Sequence, residues 1–253
     1  VEKTKNGTRN GGLRPDKGYI GHKAAKMMKR SKAIENRQQA AAEEKSKLLR
    51  NIDSMESLKI GQLAYHKQQL GELDRVSISY GDRKVCENIS FAIEQGDRIA
   101  LSGKNGAGKS SLLKLILGEE IEHSGTVRIG SQLRISYVSQ DTAHLKGNLT
   151  DYAREQDIEE SLFKAILRKL DFSRTQFEKD MADFSGGQKK KVLIARSLCE
   201  KAHLYIWDEP LNFIDVLSRM QIEDLLLTHE PTILFVEHDS EFCRHIATKT
   251  IQL

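Results

Sequence analysis

The chain has 253 residues, room for one medium domain with an appendage or for two small ones. Its 40 Lys and Arg against 36 Asp and Glu give a formal +4, but the charges are segregated: residues 1–70 hold 16 basic and seven acidic side chains (+9), and the remaining 183 hold 24 against 29 (−5). Apolar runs such as Leu112-Leu113-Lys114-Leu115-Ile116-Leu117 fall far short of the roughly 18–20 residues of a membrane span, no secretory signal is visible, and Cys86, Cys199 and Cys243 form no Cys-x-x-Cys pair, so a membrane helix, a disulfide framework and a zinc site are all disfavoured and a reducing cytosol fits.

Residues 1–21 are polar, are broken by Gly7, Gly11, Gly12, Gly18 and Gly21, and carry Lys3, Lys5, Arg9, Arg14 and Lys17. Such a segment has too little apolar surface to order itself. Helix formers then run from His22 to Ile60 without Gly or Pro, which predicts one helix about 58 Å long. Met27, Ile34, Ala41, Leu48 and Met55 recur every seven residues, but Ser31, Gln38 and Lys45 break the companion row before Ile52. The predicted seam is narrow and suits packing on one other helix; a solvated charged helix would have the same composition. A basic glycine-rich loop before a long helix reads as the tip and second half of a helical hairpin whose first helix precedes Val1, and a first residue other than Met agrees with an upstream extension. The tip's charge points at a polyanionic backbone, nucleic acid being the expected target and the five basic residues its expected contacts.

From Gly61 onward the chain reads as α/β. Strands are expected over 76–80, 98–101, 126–129, 204–207 and 232–236, alternating with helical segments, and the crowding of the first few predicts a small antiparallel sheet beside a parallel one. Between the strand ending at Ser102 and an apolar helix lies Gly103-Lys104-Asn105-Gly106-Ala107-Gly108-Lys109-Ser110, a P-loop pattern in its required context. Backbone N–H groups at a helix N-terminus would close around phosphate, with Lys109 on the β and γ phosphates and Ser110 on magnesium. The pattern alone leaves open GTPases, kinases, recombinases and transport ATPases. Ser185-Gly186-Gly187-Gln188, opening a helix, is a second anion-shaped site. Leu204-Tyr205-Ile206-Trp207-Asp208-Glu209 is an apolar strand ending in two acids: Asp208 would serve the magnesium shell and Glu209 would polarise the attacking water, although paired acids at a strand end can also be solvated turn residues.

Phe184-Ser185-Gly186-Gly187-Gln188 resembles the signature motif of the ATP-binding cassette (ABC) superfamily, in which the signature of one cassette closes over the P-loop nucleotide of another. The resemblance covers residues 72–253 and implies an ABC-type P-loop ATPase cassette with a parallel core sheet, a small antiparallel β subdomain and a short helical subdomain. It implies ATP and Mg2+ as ligands, held by Gly103, Asn105, Gly106, Ala107, Gly108, Lys109, Ser110 and Ser111. Tyr80, 23 residues before Gly103, resembles the aromatic on which adenine stacks. Gln140 resembles the glutamine that reaches magnesium and the attacking water, Asp215 the aspartate that contacts the opposite cassette, and His238 the switch histidine that senses the γ-phosphate.

Asp208-Glu209-Pro210-Leu211-Asn212 carries Asn where the ABC-F branch has it, whereas transporter cassettes usually read Asp-Glu-Pro-Thr-Ser. Only 45 residues separate Gln140 from Ser185, little room for docking on a membrane partner. The charged helix precedes the cassette, unlike the inserted coiled coils of chromosome-maintenance ATPases. The chain thus resembles an interdomain linker (1–60) plus the second nucleotide-binding domain (61–253) of an ABC-F protein, of the subgroup that protects ribosomes against lincosamides, streptogramin A compounds and pleuromutilins. That resemblance implies a composite ATPase completed by a first cassette of the same parent polypeptide, and a cytoplasmic protein working on the ribosome near 23S rRNA and P-site tRNA, with no membrane or DNA partner. The alternatives are a drug-efflux ATP-binding subunit and a housekeeping ABC-F translation factor.

Overall fold

A computed structural model of the chain describes residues 60–81 and 83–253. The basic segment 1–21, with Lys3, Lys5, Arg9, Arg14 and Lys17, and the helix expected over 22–60 lie outside the described residues, except for Ile60, which is in irregular backbone.

Strands β1 (Gln69–Tyr80), β2 (Arg83–Glu94) and β4 (His123–Ile129) form an antiparallel sheet in the order β2-β1-β4. On β1 the side chains Leu70, Leu73, Val76 and Ile78 are buried while polar neighbours face outward. The first and third strands begin earlier than their apolar runs suggest, at Gln69 and His123, because a sheet with one solvated face needs hydrogen-bonded polar residues as much as apolar ones.

Five parallel strands, β3 (Arg98–Ser102), β5 (Ile135–Val138), β6 (Leu204–Asp208), β7 (Ile233–Val236) and β8 (Lys249–Gln252), form the central sheet in the order β5-β6-β7-β3-β8. Every residue of β6 and β7 is buried, the mark of strands covered on both faces. Each fully buried Leu, Ile or Val there contributes about 1.5–3 kcal/mol. Around the sheets lie α1 (Lys109–Ile116), α2 (Leu149–Glu155), α3 (Glu160–Lys169), α4 (Gly186–Cys199), α5 (Val216–His229) and α6 (Ser240–Ile246). The helices α2 and α3, with 3-10 turns at Arg174–Glu178 and Met181–Asp183, are the short helical subdomain, and Phe172 packs edge-on to Phe184 (5.6 Å) beneath the start of α4.

The register decides where the chemistry sits. Leu101 pairs with Val236, Asp208 with Val236, and Val138 with Trp207, so the carboxyl ends of β3, β5, β6 and β7 stand at one level. The P-loop, Gln140, Glu209 and His238 all leave the sheet from that edge, the place where open parallel sheets bind ligands.

Candidate nucleotide-binding site

The P-loop turns through Gly106 (φ 82°) and Gly108 (φ 83°), a left-handed backbone that glycine adopts without strain. At Gly108 space is also short: a Cβ would approach the Val85 side chain to 3.1 Å and its backbone to 3.3 Å. Gly108 caps α1 with no side-chain hydrogen bond, so the first N–H groups of the helix are left for a ligand. Lys109 is buried, and its Nζ donates to Gly103 O (2.9 Å) and Lys104 O (3.1 Å), which holds the ammonium across the loop. Tyr80 stands half exposed at the mouth, its hydroxyl 3.0 Å from Ser111 Oγ. Tyr80, Val85, Gly106, Gly108, Lys109 and Ser111, with Arg83, Asn105, Ser110, Gln140, Glu209 and His238, wall a cavity of about 610 Å³. A larger groove of about 830 Å³, walled by Leu117, Ile121, Val127, Ile129 and three glutamates, is lined by no Lys or Arg.

Asp208 ends β6 at 2% exposure. Burial raises its pKa against a hydrogen bond from the Ser110 hydroxyl and the pull of Lys190 and Lys109. Its Oδ1 is buried and has no hydrogen-bond partner. Among the described residues no three His, Cys, Asp or Glu side chains form a cage of their own. One buried carboxylate beside a hydroxyl suits Mg2+, which keeps water and takes the remaining oxygens from phosphate. The donor set therefore fits a Mg2+–nucleoside triphosphate.

Glu209 follows at φ 48°, a left-handed conformation that turns its side chain out of the strand direction, and its N–H donates to Val236 O (3.0 Å). Three side chains converge on its carboxylate: Gln140 Nε2 donates to Oε2 (2.8 Å), Asn212 Nδ2 donates to Oε2 (2.6 Å), and His238 Nε2 lies 3.2 Å from Oε1. An ionised carboxylate only accepts, so Nε2 of His238 carries the hydrogen. Glu237, buried at the end of β7, accepts the N–H of Leu211 (3.1 Å) and of His238 (2.8 Å) and so fastens the Asp-Glu-Pro-Leu-Asn loop to the histidine. Lys190, also buried, donates to Ser139 O (2.9 Å) and Asp208 O (3.3 Å); burial lowers its pKa against the carboxylates of Asp208, Glu209, Glu237 and Asp141.

Sequence reasoning missed the holding roles of Asn212, Glu237 and Lys190. Asn212 was legible as a residue three positions after the acid, within reach of it once the turn formed; Lys190 was hidden in a run of three lysines that reads as solvated.

The signature residues Ser185, Gly186, Gly187 and Gln188 and the loop residue Asp215 do not line this cavity. Ser185 and Gln188 close a capping box on α4: Gln188 N donates to Ser185 Oγ (3.3 Å) and Ser185 N donates to Gln188 Oε1 (2.9 Å). Gly187 has no room for a side chain, since a Cβ would lie 2.2 Å from Phe213 O. Asp215 caps α5 through Ser218 N (2.9 Å) and pairs with Lys191 Nζ at 2.6 Å. Beside them Phe213 is 86% exposed and Val216 and Met220 are exposed, an apolar edge on the loop and first turns of α5.

The model of the family described as "ABC transporter" matches residues 86–212, from β2 through the Glu209 loop. The ATP-binding protein Uup of Caulobacter vibrioides is 34% identical over 191 residues, covering 72% of this chain and 31% of that protein. The ribosome protection protein VmlR of Bacillus subtilis is 32% identical over 177 residues, covering 68% and 32%. A solved ATP-binding subunit of an ABC transporter superposes with a TM-score of 0.62 over 73% of this chain and 85% of that one at 24% identity, which speaks for the fold. The chain spans about a third of the length of these curated relatives. With the family model covering half of its length, the chain belongs to the ABC transporter family of ATP-binding domains.

Proposed function

We propose that this chain is the linker (1–60) and second ATPase cassette (61–253) of an ABC-F protein that protects ribosomes against antibiotics, cytoplasmic and ribosome-associated. The observation that carries the ATPase reading is the convergence of Gln140, Asn212 and His238 on Glu209, beside the orphaned Oδ1 of Asp208 and the P-loop. Lys109, the loop N–H groups and Ser111 bind the triphosphate, and Tyr80 takes the adenine. Ser110, Asp208 and Gln140 would hold Mg2+, which when bound would neutralise charge on the phosphates. Glu209 orients the attacking water and accepts its proton; its three partners keep the carboxylate aimed and spread its charge.

Ser185–Gln188 and Asp215 do not line this cavity and, in this reading, serve a site shared with a first cassette of the same parent. The ribosome reading is supported by the relative named a ribosome protection protein, by Asn212, and by the basic segment before the cassette. Relatives named only as ATP-binding proteins, Uup and YbiT, favour a second reading, a housekeeping ABC-F factor. Among the described residues no helix is long and apolar enough to cross a membrane. In the full-length parent, Glu209→Gln should bind ATP and stay trapped on ribosomes; pelleting that shows no ATP-dependent retention defeats the mechanism. Drug susceptibility of a sensitive strain expressing the parent, with labelled-drug retention on its ribosomes, separates protection from housekeeping and efflux.

A further inference from the structure

Arg83 opens β2, three residues after Tyr80, on the far side of the turn that joins β1 to β2. Its guanidinium lies over the P-loop: a Cβ placed on Gly106 would sit 3.3 Å from Arg83 Nη2. The side chain is exposed, yet it walls the same cavity as Lys109, Ser110 and Tyr80. Among the described residues no carboxylate is within ion-pair distance of it. This is an unusual place for a third positive element. The pocket already holds the Lys109 ammonium and the N-terminus of α1, and like charges gathered in one cleft repel until an anion enters between them. A guanidinium also presents a planar fork of donors that matches a phosphate with two parallel hydrogen bonds, which an ammonium does not.

We propose that Arg83 is a second phosphate-binding cation of the nucleotide site, acting on the α/β end of the phosphate chain from the β1–β2 turn while Lys109 acts from within the loop. The assignment rests on the nucleotide reading above and deepens it. Gly106 belongs to the loop whose N–H groups cradle those phosphates, and the guanidinium is already beside it. One turn then grips the nucleotide twice, Tyr80 by the base and Arg83 by the charge. Glycine at 106 suits the left-handed φ, and a Cβ there would also crowd the guanidinium, which would have to shift by a few tenths of an ångström.

The test is displacement of a fluorescent ATP analogue from the 253-residue chain by ATP, ADP, pyrophosphate and adenosine, in the native sequence and in Arg83→Ala, Arg83→Lys and Lys109→Ala. Arg83→Ala should weaken ATP, ADP and pyrophosphate by roughly tenfold, in the range of one charge-assisted hydrogen bond, and adenosine by less than about twofold. Arg83→Lys should recover part of the loss. Because Arg83 is exposed, its thermal midpoint should match the native one. Unchanged ATP affinity in Arg83→Ala overturns the proposal, and so does an equal loss for ATP and adenosine, which would put the guanidinium on the base. A native chain that binds no nucleotide, or Lys109→Ala without effect, strikes the nucleotide reading itself.

Discussion

Glu209 shows how much of this site is decided one side chain away from the reacting group. The acid itself is readable from its place at the end of an apolar strand, but its aim depends on a left-handed backbone and on three donors from three different segments. Asn212 makes the shortest of those bonds, 2.6 Å to Oε2. Removing one of three donors to a charged acceptor costs about 1–2 kcal/mol, so Asn212→Ala should lower kcat for ATP about five- to thirtyfold. The ATP dissociation constant should stay unchanged, since Asn212 does not itself line the P-loop cavity. Single-turnover hydrolysis beside equilibrium binding checks this; a loss confined to binding would remove Asn212 from the catalytic machinery. Gly187 makes the complementary point. Its glycine reads in sequence as part of an anion site, and the structure adds a steric reason, the carbonyl of Phe213 passing where a Cβ would be.

Helix α4 carries the greatest difference between pattern and structure. Lys189, Lys190 and Lys191 follow the signature as a charged run, yet the last two are buried and each ties the helix to a different neighbour. Lys190 reaches the ends of β5 and β6, and Lys191 reaches the cap of α5. Burial opposes ionisation of Asp215, but hydrogen bonds from Lys191 and Ser218 outweigh it and hold the carboxyl down at about 2, against 3.8 in a free chain. A depressed pKa stabilises the fold above the unfolded value and loses that stabilisation as the pH falls toward the folded one. Asp215→Asn should therefore lower the urea midpoint at pH 6–7, with a deficit of about 1 kcal/mol because nearly half of the carboxylate is in solvent. The deficit should shrink below about pH 4 and vanish near pH 2. A deficit independent of pH would mean that the cap, and not the charge, carries the stability.

At the scale of the whole molecule, the mild +4 is the sum of a basic front and an acidic cassette. In the proposed function the front piece meets RNA phosphate and the cassette turns over ATP. Neutralising Lys3, Lys5, Arg9, Arg14 and Lys17 in the parent should weaken ribosome binding and flatten its salt dependence, by roughly 0.7–0.9 in the slope of log K against log salt for each lost phosphate contact. Binding measured from 50 to 200 mM salt checks this, and an unchanged slope removes the segment from the interface. The α/β class, the P-loop, the paired acids and the order of the motifs were all legible by residue type and spacing, because each depends on chain-local geometry: a strand, a glycine turn, a helix start. Two of the three side-chain contacts on Glu209 were not, since they join residues 29 and 69 positions apart and exist only through the parallel register that levels the ends of β3, β5, β6 and β7. Nor could spacing reveal that two lysines of a polar run are buried, or that Arg83 lies on the P-loop. By itself the sequence determined which groups are present and in what order, because local backbone preference and apolar patterning are written residue by residue. The tertiary structure alone decided which of them meet, because strand register and burial are properties of the packed sheet.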